Sequence, residues 1–208
     1  MKIRSVKTYI IHISAWLSFI TFVMQMLLAV GSWISSAINP NFQIRSMLGS
    51  DGLRWLFGTF VANVSSVGLV WILLVGIAVG TFIESRLLYA FIRYKHTNSY
   101  ERMALFVCLW ESACMIAVII LLAFIPHAIL QSALGTLLPS SFSASIVPTT
   151  TFCIVIIALT YGYITGTFRS LERIFHAMCD GINLIAPMII AYISGLELYF
   201  TVRWVFML

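Results

Sequence analysis

Five apolar runs, each long enough to cross a bilayer, constrain this chain more than any other feature of its sequence. They lie at about Tyr9–Ile34, Val67–Ile92, Ala104–Ile125, Ser145–Phe168 and Ile182–Phe200. A hydrocarbon core of about 30 Å takes about 20 helical residues to span. No water there satisfies backbone N–H and C=O groups, so such runs must be helices. Composition agrees, since 61% of the 208 residues are hydrophobic and only 9% are charged, against about 25% charged in a soluble domain. The fold class expected is all-α: a polytopic membrane protein with about five transmembrane helices, residues 1–208 forming a single transmembrane helical domain.

Breakers separate the runs. Asn39-Pro40-Asn41 stops the first, Pro126 stops the third, and Pro139-Ser140-Ser141 precedes the fourth. Basic residues then set the orientation. One side carries Lys2, Arg4, Lys7, Arg86, Arg93, Lys95, Arg102, Arg169 and Arg173, and the other only Arg45, Arg54 and Arg203, nine of the 12 against three. Positive charge stays on the cytoplasmic side, so the N-terminus is expected inside a bacterial-type inner membrane and the C-terminus outside. The same asymmetry accounts for the net charge of +5 without a nucleic-acid partner. The first run exceeds the about 7–15 apolar residues of a signal sequence and reads as a retained anchor.

The segment after the first run is more than a connector. Leu53, Trp55, Leu56, Phe57, Phe60 and Val61 recur at helical spacing behind Ser50-Asp51-Gly52, which predicts a short interfacial amphipathic helix capped by Ser50 or Asp51. Arg54 and Trp55 are its expected interfacial anchors.

Two glycine pairs stand at four-residue spacing near run ends, Gly76/Gly80 and Gly162/Gly166. This spacing lets helix backbones approach closely, so all four are expected to pack helices together, and their similar surroundings suggest a weak internal repeat. Glu111 is the candidate intramembrane polar site. It sits about two turns into the third run, where a carboxylate is costly and must turn toward protein, either as a proton or cation site or as a hydrogen-bonded structural group. Glu197 and Arg203 are expected to pair with each other or with Arg45 and Arg54. The cysteines lack metal-ligand spacing, no catalytic signature occurs, and neither a metal nor a cofactor is implied, so an enzyme is not expected.

Two stretches resemble the p-aminobenzoyl-glutamate transporter family, AbgT. The first runs from Leu48-Gly49-Ser50-Asp51-Gly52-Leu53-Arg54-Trp55-Leu56-Phe57 through Asn63 into Gly76-Ile77-Ala78-Val79-Gly80. It is similar to the family's S-P-E-G-L-R-W segment and the glycine-rich span behind it. The second runs from Glu101-Arg102 through Leu137-Leu138-Pro139-Ser140-Ser141-Phe142 and Ser145-Ile146-Val147-Pro148 to Tyr161-Gly162-Tyr163-Ile164-Thr165-Gly166-Thr167-Phe168-Arg169-Ser170. It resembles S-P-F-x-x-S-I-V-P, Y-G-x-x-x-G-T and K-S. The chain is under half the length of full members, and Lys95-His96-Thr97-Asn98-Ser99 stands where two spans and a re-entrant hairpin would be expected. No family binding residue therefore carries over. The resemblance implies a reduced inner-membrane transporter of p-aminobenzoyl-glutamate-like organic anions, working as a homodimer or with a larger membrane partner. The alternative, of a different class, is a non-transporting membrane scaffold or subunit.

Overall fold

The computed structural model describes residues 2–38, 44–93, 98–124 and 141–207, all of its regular elements being helices. The breakers Asn39, Pro40, Asn41, Pro126, Pro139 and Ser140, and the segment from Tyr94 to Thr97, lie outside the described residues. In chain order the helices are α1 (Lys2–Ile38), α2 (Ser50–Val64), α3 (Val67–Glu84), α4 (Leu87–Ile92), α5 (Ser99–Phe124), α6 (Ser141–Ile164) and α7 (Leu171–Phe206). Among the described residues, α1, α3, α5, α6 and α7 are long and apolar enough to cross a membrane. The chain is an all-α, multi-pass membrane protein.

Besides the longer ends of α1 and the earlier starts of α5 and α6, three boundaries differ from the sequence reading. The second run breaks at Ser85-Arg86, where Arg86 adopts φ 61°. The buried Ser85 hydroxyl accepts the Leu87 N–H at 3.3 Å, supplying the start of α4. The fourth run ends at Ile164 rather than Phe168. Helix α7 begins at Leu171, eleven residues before the fifth apolar run, because Ser170 caps it by accepting the Arg173 N–H at 3.3 Å. Polar residues Glu172, Arg173, His176 and Asp180 hide that extension from an apolar-run search. Pro148 and Pro187 sit inside α6 and α7 without ending them.

The described residues form two compact units. In residues 1–70 with 185–208, the segment before α2 is tied down by backbone and side chain. The Met47 N–H donates to the Ser32 hydroxyl of α1 at 3.1 Å, and the Arg45 N–H donates to the Val205 carbonyl of α7 at 3.1 Å. Thr21 of α1 bonds Ser194 of α7 at 2.9 Å, and Ser66, at the turn between α2 and α3, bonds Tyr192 at 2.9 Å. Helix α2 is capped by Gly49 with no side-chain cap bond, correcting the expectation of Ser50 or Asp51. Gly52 explains the tight entry: a Cβ there would stand 2.5 Å from the Ser46 carbonyl oxygen. The inward face of α2 carries Gly52, Trp55, Leu56, Thr59 and Asn63, while Leu53, Phe57, Phe60 and Val61 are exposed.

In residues 71–184, α4, α5 and α6 pack around Ala90, Ala104, Cys108 and Tyr161. Cys108 donates to the Ile157 carbonyl at 3.6 Å, and all four cysteines are free thiols.

Candidate functional site

Helices α3 and α7 meet through glycine. A Cβ on Gly80 would stand 2.5 Å from the Gly181 Cα, and one on Gly181 would stand 2.8 Å from the Gly80 Cα and collide with the Gly76 carbonyl. Ala177, buried one turn before Gly181, contributes its carbonyl to the same contact. Gly76 and Gly80 thus face Ala177 and Gly181, a second small-residue pair at four-residue spacing that lies in the polar-looking stretch before the fifth run.

The other glycine pair does something different. Gly166 lies beyond α6 with φ +75°, a left-handed conformation that favours glycine. Its N–H bonds the Tyr163 carbonyl at 3.1 Å, and the Phe168 N–H bonds the Gly162 carbonyl at 2.9 Å. The Phe168 ring folds back onto Gly162, where a Cβ would come within 2.7 Å of the ring's Cε2. Gly162 and Gly166 therefore build a helix stop and chain reversal, not the helix-helix seam expected of them. The matching Phe82 remains within α3, so the repeat in sequence is not a repeat in local structure.

Glu111 of α5 is half-buried and faces α6, where its Oε1 accepts the Thr160 hydroxyl at 3.1 Å; Oε2 is buried without a hydrogen-bond partner among the described residues. Arg54 and Trp55 line a cleft of about 780 Å³ with Arg45, Asp51 and Trp204. The Trp55 and Trp204 rings stack at 5.3 Å and 23°, and the Arg45 guanidinium lies 5.6 Å from the Trp204 ring centre.

Glu197 is the group that sequence reasoning misjudged. It is only 4% exposed, and among the described residues neither carboxylate oxygen receives a hydrogen bond of ordinary geometry, although the Asn63 amide of α2 faces it. Two of the arginines expected beside it lie over aromatic rings, Arg45 over Trp204 and Arg203 over Tyr199 at 6.0 Å. Thr201, one turn on, is fully buried with its hydroxyl also unbonded. Position four apart from another polar residue was the only signal available in the sequence.

Residues 90–203 match the family described as "AbgT putative transporter family". The chain is also similar in structure to the Alcanivorax borkumensis YdaH transporter, with a TM-score of 0.73 and 14% identity over 92% of this chain and 71% of that one. At that identity the likeness shows a shared fold. A comparison with curated protein sequences finds no match.

Proposed function

This chain belongs to the AbgT transporter family, and from that premise we infer that it carries small aromatic organic anions of the p-aminobenzoyl-glutamate kind across an inner membrane. The observation that carries the reading is the family match itself, which runs from α4 through most of α7.

The cleft beside α2 supplies chemistry suited to such a solute. Arg45 and Arg54 offer guanidinium groups, whose planar donors suit carboxylates, and the Trp55–Trp204 stack offers a face for an aromatic ring. Asp51 at the same rim disfavours a second anion close to it. In this proposal the N-terminus is cytoplasmic and the C-terminus outside, the chain acts as one membrane domain over residues 1–208, and it works as a homodimer.

Uptake and efflux of labelled p-aminobenzoyl-glutamate, measured in proteoliposomes and in cells with and without the protein, test the reading. Flux should depend on the protein, and Arg54→Gln should raise KM by roughly tenfold, the worth of about 1.4 kcal/mol. Absence of flux for this and related aromatic anions, together with a changed amount of another membrane complex in the deletion strain, would favour the scaffold reading instead.

A further inference from the structure

Within the unit formed by residues 1–70 and 185–208, Arg45, Arg54 and Arg203 gather around the stacked rings of Trp55 and Trp204. Arg45 and Arg54 line the anion cleft, where Asp51 stands with them. Arg45 also lines an adjoining cavity of about 390 Å³, this time with Arg203, Trp204, Phe200 and Met207. No acidic residue lines this second cavity. Two guanidinium groups facing a cavity without an acid create a field that draws an anion. Each guanidinium also lies over a ring, Arg45 at 5.6 Å from the Trp204 centre and Arg203 at 6.0 Å from that of Tyr199. A ring meets a guanidinium by its face, whereas oxyanions are met at the edge that carries the N–H donors.

Depth selects the kind of anion. Between Asp180 and Arg203, α7 carries one charged residue, Glu197, over a stretch long enough to cross a hydrocarbon core of about 30 Å. Arg203 and Trp204 stand where that stretch ends, which is the level of phospholipid headgroups and the place where such residues anchor a helix. The remaining walls are apolar. Phe200 and Met207 line the cavity, and Phe206 and Met207 at its edge are 46% and 51% exposed. A water-borne anion has no use for those walls at headgroup level, whereas a ligand with a charged head and hydrocarbon tails uses both.

We propose that Arg45, Arg203 and Trp204 bind the phosphodiester headgroup of an anionic phospholipid of the phosphatidylglycerol class, with its acyl chains against Phe200 and Met207. The unesterified phosphate oxygens accept N–H groups from the two arginines, as charge-assisted hydrogen bonds require. Net charge sets the selectivity. A phosphatidylcholine headgroup carries a quaternary ammonium beside the same phosphate, and the paired arginines repel it. The site goes beyond the transport reading and does not depend on which solute the adjoining cleft takes.

Lipid binding can be read without any transport assay. The purified full chain, stripped of lipid in mild detergent, is titrated with dioctanoyl phosphatidylglycerol while thermal unfolding is followed. The midpoint should rise saturably, since a ligand that binds only the folded state stabilises it by mass action. Dioctanoyl phosphatidylcholine and glycerophosphoglycerol, the same anionic headgroup without chains, should each raise it less. Arg203→Gln should weaken the apparent affinity for phosphatidylglycerol by roughly fivefold, what one basic residue contributes near an anionic headgroup. Arg173→Gln, near the other end of α7, should leave that affinity unchanged. If Arg203→Gln fails to fold, tryptophan fluorescence of the unmodified protein in nanodiscs decides instead. Chain-brominated phosphatidylglycerol should then quench more than chain-brominated phosphatidylcholine at the same mole fraction. An equal response to the two lipids, or an equal loss in the two arginine variants, would overturn the proposal. Glycerophosphoglycerol acting as strongly as the lipid would overturn it too, by assigning the cavity to a free phosphate ester. Anion flux with no preference for phosphatidylglycerol would remove this site while leaving the transport reading intact.

Discussion

Glu111 and Glu197 are both acidic residues within membrane-length helices, and their surroundings differ in degree of enclosure and of hydrogen bonding. Glu111 is half-buried and accepts a hydroxyl from the neighbouring helix at 3.1 Å. Glu197 is almost wholly enclosed, with neither oxygen hydrogen-bonded among the described residues. The first keeps one oxygen bonded in a contact that joins α5 to α6, while its Oε2 is buried without a partner among the described residues. The second is a deficit that its unit tolerates, a buried group that calls for an explanation beyond packing. The two units also cohere differently. Residues 71–184 close with backbone against backbone at Gly80 and Gly181, whereas residues 1–70 with 185–208 are joined largely by hydroxyl groups, Thr21 to Ser194 and Ser66 to Tyr192.

The largest effect expected tests the glycine seam. Gly181→Leu places a branched side chain against the Gly76 carbonyl and the Gly80 backbone, which cannot move aside as a flexible side chain could. Overpacking costs about 1–3 kcal/mol or more, so size-exclusion chromatography should show little monodisperse protein. Gly58→Leu, on α2 with open space around the position, should elute normally. Equal behaviour of the two variants would remove the seam from the account.

Next, the two acids should respond to leucine with opposite signs. Glu197→Leu removes a buried carboxyl group and should raise stability by about 1–4 kcal/mol. Glu111→Leu breaks the bond to Thr160 and should lower it by about 1–3 kcal/mol. Thermal unfolding in detergent reads both, and matching signs would erase the contrast drawn here. Thr160→Val sharpens it further, with an expected loss of about 1 kcal/mol that is absent when combined with Glu111→Leu.

The smallest effect sets two glycines of one helix against each other. Gly195 has open space around it, so Gly195→Ala should gain about 0.5–1 kcal/mol from the lower backbone entropy of alanine in a helix. Gly181→Ala, on the same helix, should destabilise. A loss at Gly195 would mean that its open face is occupied by a partner chain or lipid.

The apolar runs, read alone, determined that the chain is all-α and multi-pass, because hydrocarbon leaves the backbone no alternative to internal hydrogen bonding. They also located α2, through its helical spacing of large apolar residues, and singled out Glu111 by its depth within a run. Helix ends were less legible. The stop at Gly166 and the break at Arg86 depend on left-handed backbone that the apolar pattern does not encode, and the first turns of α7 are polar and so look like loop.

Tertiary structure alone decided which residues meet. The spacing of Gly76/Gly80 and Gly162/Gly166 is identical, yet one pair became a seam and the other a turn, since close approach requires a small-residue partner and only Ala177 and Gly181 supplied one. Likewise, Glu197 lies near the end of an apolar run with an arginine six residues away, which in sequence reads as a surface ion pair. Burial and pairing are properties of what the fold brings alongside, and here it enclosed Glu197 and set the Asn63 amide against it.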